Sequence, residues 1–158
     1  MKHSLPILFT LALGMNASAQ GKTDIVVPEP VKAAFAKQFP KAEGANWEME
    51  DKDFEAGFKM SSVKYSAVYS AAGKWMETEH KIKVEAMPEA VQKAIAANYA
   101  DHKVEGAEQV ERPDGIFYEV DLEKGEHEME VLFSVDGNVV KTKMENEDKN
   151  EQGEDDKD

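Results

Sequence analysis

Apolar residues fall at helical spacing twice along this chain. In the stretch Val27 to Phe39, Val31, Ala34, Phe35 and Phe39 share one helix face, and Val91, Ala94, Ile95 and Tyr99 repeat the pattern 60 residues on, with Pro88 answering Pro28. Residues at i, i+3, i+4 and i+8 line one side of a helix. Lys32, Lys37, Gln92 and Lys93 fall off that stripe. The two stretches therefore predict short amphipathic helices, each buried along one side. The leading prolines suit a helix start, where a missing N–H costs nothing, and Pro40 stops the first copy.

After each helical stretch the period changes to two. Trp47 and Met49 alternate within Asn46 to Glu50; Phe54, Ala56, Phe58 and Met60 alternate with Glu55, Gly57 and Lys59; Val63, Tyr65, Ala67 and Tyr69 follow beyond a break at Ser61-Ser62. This predicts a strand and then a hairpin. Ala71-Ala72-Gly73 is a further turn, leading to a fourth strand from Lys74 to Ile82. The pattern returns at an offset of 64, pairing Phe54 with Tyr118, Phe58 with Leu122, Tyr65 with Met129, Tyr69 with Phe133 and Gly73 with Gly137. The additional residues lie before Ile116, where Arg112-Pro113-Asp114-Gly115 reads as a turn. Tyr118, Val120 and Leu122 then alternate with Glu119, Asp121 and Glu123, and Met129, Val131 and Phe133 with Glu128, Glu130 and Leu132; Asp136-Gly137 is a hairpin signal.

The expected fold is α+β, with two tandem repeats, each one helix packed on about four antiparallel strands. The first repeat spans 20–82 and the second 83–144, joined through Lys81 to Ala86 by a shared interface or by one continuous sheet. The helices cover the apolar face; the opposite, acidic face is expected to be open to water.

The first segment changes the picture of the compartment. Lys2 and His3 precede an apolar run from Leu5 to Leu13, and Ala17-Ser18-Ala19 supplies the small residues of a cleavage site before Gln20. Residues 1–19 are expected to be a signal peptide. The apolar run is short for a membrane span, which points to a periplasmic or secreted protein with no membrane span. The chain holds no cysteine, which excludes disulfides, thiolate metal sites and a cysteine nucleophile.

The formal net charge is −13, and loss of Lys2 with the signal peptide leaves −14. Arg112 is the sole arginine, so the surplus of cations that binds a phosphate backbone is missing. Residues 145–158, ENEDKNEQGEDDKD, contain no apolar side chain and are expected to form a disordered acidic tail.

The chain resembles the PepSY-like, beta-lactamase-inhibitor-like periplasmic proteins of Bacteroidetes-type bacteria. The resemblance is carried by Val27-Pro28, Val31, Phe35 with Phe39-Pro40, Trp47, Gly73, Trp75, Thr78 and Glu79, then by Pro88, Val91, Ile95, Tyr99, Ala107-Glu108 and Tyr118-Glu119-Val120. It implies a tandem helix-plus-sheet fold similar to the secreted inhibitors of beta-lactamase, whose sheets form a concave protein-binding surface. Activity does not follow from it, since a fold hosts unrelated functions. The lack of disulfides departs from those inhibitors, and no inhibitory loop residue matches.

Chemistry is sparse. His80, His102 and His127 are far apart in sequence with no HExxH, and Asp51, Asp53 and Glu55 begin like a calcium loop that then misplaces its glycine at Gly57 and puts Ser62 where a bidentate Glu is needed. No GxSxG, phosphate-cradling loop or dinucleotide fingerprint is present. An enzyme, a cofactor and a resident metal are therefore not expected. Because Trp75 and Met76 are adjacent on a strand, one should face away from the helix; an exposed Trp75 beside Glu77 and Glu79 would make a contact hot spot, while the competing reading packs it between the repeats. The resulting expectation is a non-catalytic binding module that presents an acidic sheet face, through Trp75, Glu77, Glu119, Asp121, Glu128 and Glu130, to a basic envelope protein or peptide. The alternative is a small envelope hydrolase or a metal- or cation-binding protein built on carboxylates and histidines.

Overall fold

The computed structural model describes residues 25–144. The expected signal peptide, 1–19, and acidic tail, 145–158, lie outside them. The chain runs α1 (Glu29–Gln38), β1 (Glu43–Glu50), β2 (Asp53–Met60), β3 (Val63–Tyr69) and β4 (Trp75–Lys81). A single 3₁₀ turn (Val84–Ala86) leads to α2 (Glu89–Asn98), β5 (Lys103–Arg112), β6 (Gly115–Lys124), β7 (His127–Ser134) and β8 (Val139–Met144). All eight strands form one antiparallel sheet in sequential order. Of the two possible junctions, the continuous sheet is the one found: β4 pairs with β5 from Thr78 opposite Glu111 to Lys81 opposite Glu108.

Local chemistry explains the connections. Ser61 and Ser62 both take positive φ, 50° and 69°, as a two-residue hairpin turn between right-twisted strands requires. Pro113 and Asp114 make the equally tight link between Arg112 and Gly115, which face each other across β5 and β6. Each helix is preceded by proline, Pro28 or Pro88, in extended conformation, and each ends where the N–H of Phe39 or Tyr99 donates to the carbonyl of Phe35 or Ile95 at 2.8 Å.

Both helices lie on the same face of the sheet. α1 buries Val31 and Phe35 against Phe54, Ala56, Phe58, Ala67 and Tyr69; α2 buries Val91 and Ile95 against Ala107, Tyr118, Val120, Leu122, Val131 and Phe133. Ala67 pairs with Thr78, Thr78 with Glu111, and Glu111 lies on the same side of β5 as Ala107, so the two clusters sit on one continuous surface. Phe35 meets Phe58 and Trp47 edge-on, at centroid distances of 5.1 and 5.2 Å. Burying a side chain of this size removes about 1.5–3 kcal/mol of unfavourable hydration, and with no disulfide these two clusters carry most of the stability.

Trp75 belongs to this helix-side core. A bulge between Val68 and Tyr69 brings Trp75 opposite Tyr69, and Trp75 packs against the α1 cluster while its indole N–H donates to Thr78 Oγ1 at 2.9 Å. The exposed Trp75 beside Glu77 expected of a regular strand is not found, because the extra residue of the bulge turns the ring onto the opposite face.

Candidate functional site

The helix-free face is where the chain places its unusual chemistry. Strand pairing fixes its members: Glu55 on β2, opposite Val68 and accepting a 2.6 Å hydrogen bond from Ser66 Oγ, Glu77 and Glu79 on β4, Glu108 and Val110 on β5, Glu119 and Asp121 on β6, Glu130 and Leu132 on β7, and Lys141 and Lys143 on β8. Glu79 lies opposite Val110, Glu108 opposite Glu119, and Asp121 opposite Glu130.

This face is not open in the way alternation alone suggests. Glu119 is 3 % exposed and Glu130 6 %, and Glu77, Glu79 and Glu108 are buried as well. Alternation tells which side of the sheet a residue takes; it does not tell how far neighbours shield it. Here Val110 and Leu132, both buried, are interleaved with the glutamates, and the long carboxylate side chains crowd one another out of water. Asp121 is half-buried and Glu128, at the hairpin end, is exposed, so of the expected acidic contact residues those two remain accessible.

Burial and mutual repulsion shift the acids upward. Glu79 is pushed up to about 10, first by burial and then by Glu77, Glu119, Glu108 and Glu55. Burial likewise lifts Glu119 to about 8, reinforced by Glu130, Glu108, Asp121 and Glu77, and lifts Glu108 to about 7, with Lys81 opposing. Asp121 is raised by burial in the same way, against Lys81. Glu79 and Glu119 therefore hold protons at neutral pH, and the face carries less negative charge than its formula suggests.

Cations meet the cluster at both ends. Arg112 Nε donates to Glu77 Oε2 at 2.8 Å, with its guanidinium 5.5 Å from the centre of the Phe117 ring. Lys143 Nζ stands 3.7 Å from Glu130 Oε2. Among the described residues, three buried polar atoms lack a hydrogen-bond partner: Glu79 Oε1, Arg112 Nη2 and Glu119 Oε1. Such atoms are costly in a folded protein and mark a place where something else can bind.

Among the described residues, ligand atoms of Glu119, Asp121 and Glu130 lie within 4.8 Å of one another. No histidine joins them. His80 packs on Tyr65 with ring centres 5.0 Å apart, His102 Nδ1 is 2.8 Å from Asp101 Oδ1, and His127 is exposed opposite Lys124. The sequence expectation missed Gly106, whose register places it opposite Asp121 beside a bulge. A glycine inside a strand was the available signal.

The arrangement defines an α+β protein with two helices on one face of an eight-stranded antiparallel sheet. The family model described as "Putative beta-lactamase-inhibitor-like, PepSY-like" matches residues 60–141, and the chain belongs to that family. Solved structures share the fold at 22% identity. They include a DUF2874 family protein from Bacteroides ovatus ATCC 8483 (TM-score 0.69, covering 76% of this chain and 89% of that one). A protein from Bacteroides eggerthii DSM 20697, described among "putative periplasmic proteins", gives a TM-score of 0.69 with 75% and 89% covered. A BLIP-like protein from Bacteroides fragilis NCTC 9343 gives 0.68 with 77% and 89% covered. None of the curated proteins matches the chain. Among the described residues no helix is long and apolar enough to cross a membrane.

Proposed function

We propose that the protein is an exported, periplasmic, non-catalytic binding module that takes a protein or peptide on the helix-free face of its sheet. The observation that carries this reading is the asymmetry of the sheet: one face is filled by two helices, while the other bears a connected set of carboxylates with no helix of the described residues packed on it. The family's beta-lactamase-inhibitor-like description and a BLIP-like structural relative support a protein partner. Asp121 and Glu128 offer the accessible negative charge, so a basic partner is steered to the β6–β7 end and held less tightly as salt rises. Envelope extract passed over immobilised protein at low and high salt tests this. A partner retained at low salt, and lost in an Asp121→Lys, Glu128→Lys variant, supports the reading; retention of nothing under either condition overturns it.

The reading includes a duplicated architecture, with 20–82 and 83–144 as two copies of one helix-plus-sheet unit. Matching details support it. Gly73 and Gly137 share a φ of +79°, and a side chain on either would strike the carbonyl of Pro30 or Ala90 in the first turn of its helix, 2.5 Å from the Cβ position in both cases. Val31 and Val91 are fully buried, and Phe35 and Ile95 are each 9 % exposed.

A further inference from the structure

We propose that Glu119, Asp121 and Glu130 form a binding site for a hard divalent cation, calcium, on the helix-free face between β6 and β7. The site shares Asp121 with the proposed partner contact, lies deeper in the face through Glu119 and Glu130, and uses no histidine.

Pairing of β6 with β7 sets Asp121 directly opposite Glu130, and Glu119 takes the same face two residues along its strand. Their ligand oxygens lie within 4.8 Å of one another. Calcium holds oxygens at about 2.3–2.6 Å in flexible geometry, whereas magnesium demands near-ideal octahedral ligands at about 2.0–2.1 Å and gives up its waters reluctantly. Three carboxylates on a sheet, with no octahedral frame around them, suit the larger and more tolerant ion.

Two independent features point to a ligand. Glu119 is 3 % exposed, yet its Oε1 has no hydrogen-bond partner. A buried carboxylate oxygen left in that state is strongly disfavoured unless a cation or donor reaches it. The second feature is Gly106. It sits across from Asp121 beside the β5 bulge, and a Cβ there would collide with Asp121 Oδ2. The missing side chain is the space into which the Asp121 carboxylate leans.

Beside Glu119 and Glu130, the crevice they line with Leu132, Lys141 and Lys143 has a volume of about 10 Å³, the scale of a single water, which leaves room for an ion. Lys143, 3.7 Å from Glu130 Oε2, is the internal rival for the same charge. The charged groups that face Glu119 are Glu77, Glu108, Asp121 and Glu130, with Lys81 acting on Asp121 and Glu108 and with Lys143 beside Glu130.

Calorimetric titration of the chelator-treated full chain with calcium chloride, and separately with magnesium chloride, tests the proposal. The expected result is one saturable calcium site with a dissociation constant below about 1 mM and weaker binding of magnesium. Gly106→Ala, which removes no charge, and Asp121→Asn each weaken it at least tenfold, and Lys143→Gln tightens it. Circular dichroism confirms that each variant is folded, and two chemically different variants keep the test decisive if one is not. Non-saturating binding overturns the proposal, because it belongs to the diffuse acidity of the chain. So does saturable binding that survives both Gly106→Ala and Asp121→Asn, which places the ion elsewhere, and so does equal affinity for magnesium.

Discussion

Arg112 and Glu77 join β5 to β4 through a 2.8 Å hydrogen bond between two largely buried side chains, so the one arginine of the chain closes the seam between its two halves. The pair sits beside the protonated Glu79, and Arg112 Nη2 finds no partner of its own. Breaking such a pair leaves Glu77 as an uncompensated charge, which costs more than the pair contributes.

Arg112→Met is therefore expected to destabilise the protein by about 3–5 kcal/mol, and Glu77→Gln, Arg112→Met together by much less. Urea unfolding of the two singles and the double gives the coupling. Additive costs would mean the pair does not hold the seam.

The helix contacts predict a second outcome. Phe35→Ala is expected to cost about 3–5 kcal/mol and Ile95→Ala about 2–5 kcal/mol, because each empties the centre of its cluster. Chemical denaturation measures both; losses below about 1 kcal/mol would show that the helices contribute little to the core.

A third concerns pH. Glu79, Glu108 and Glu119 have folded values raised to about 10, 7 and 8, above the ordinary carboxylate value of 4.5. The native state thus keeps protons that the unfolded chain releases. Their contribution is fully present below about pH 4.5 and is lost as pH rises through about 7 to 10. Melting temperature at fixed ionic strength should fall from pH 5 to pH 9. Glu119→Gln should flatten that fall and stabilise at pH 8 by roughly 1–3 kcal/mol. A melting temperature that rises over this range contradicts the protonation of the cluster.

The turn glycines give a fourth. Gly73→Ala and Gly137→Ala both force a β-carbon against a helix carbonyl at a positive φ, so each is expected to cost roughly 1–3 kcal/mol. Similar losses at the two sites in thermal unfolding support equivalent roles; a large loss at one and none at the other argues against duplication.

Much of the fold was legible in the residues. The stripes Val31, Phe35 and Val91, Ile95 marked the helices, and the alternation of Phe54, Ala56 and Phe58 marked the face they cover. Ser61-Ser62 and Asp136-Gly137 marked turns. Trp75 escaped because one bulged residue reverses the side of a strand, and no composition signal announces that Met76 is skipped between the partners of Val68 and Tyr69. The candidate site was half legible: the period of two put Glu119, Asp121 and Glu130 on one face. It could not show that Glu119 and Glu130 are sheltered, since shielding depends on the strands that flank them across the sheet. The expectation of an acidic face open to water fails at Glu119 and Glu130, which are buried.

The sequential order of the eight strands also sets how the chain can fold. Six of the seven strand pairings are hairpins or short connections between neighbours, and only β4 with β5 must wait for the intervening α2 to be gathered in. Mostly local pairings favour fast folding, and the entropy of closing the longer loop falls on that single junction. Each half can zip its own meander early, so the expected last event is the meeting of the two sheets at Thr78 to Lys81, where Arg112 finds Glu77. Slowing of refolding by Arg112→Ala, with the early burst of strand signal unchanged, is the kinetic signature of that order.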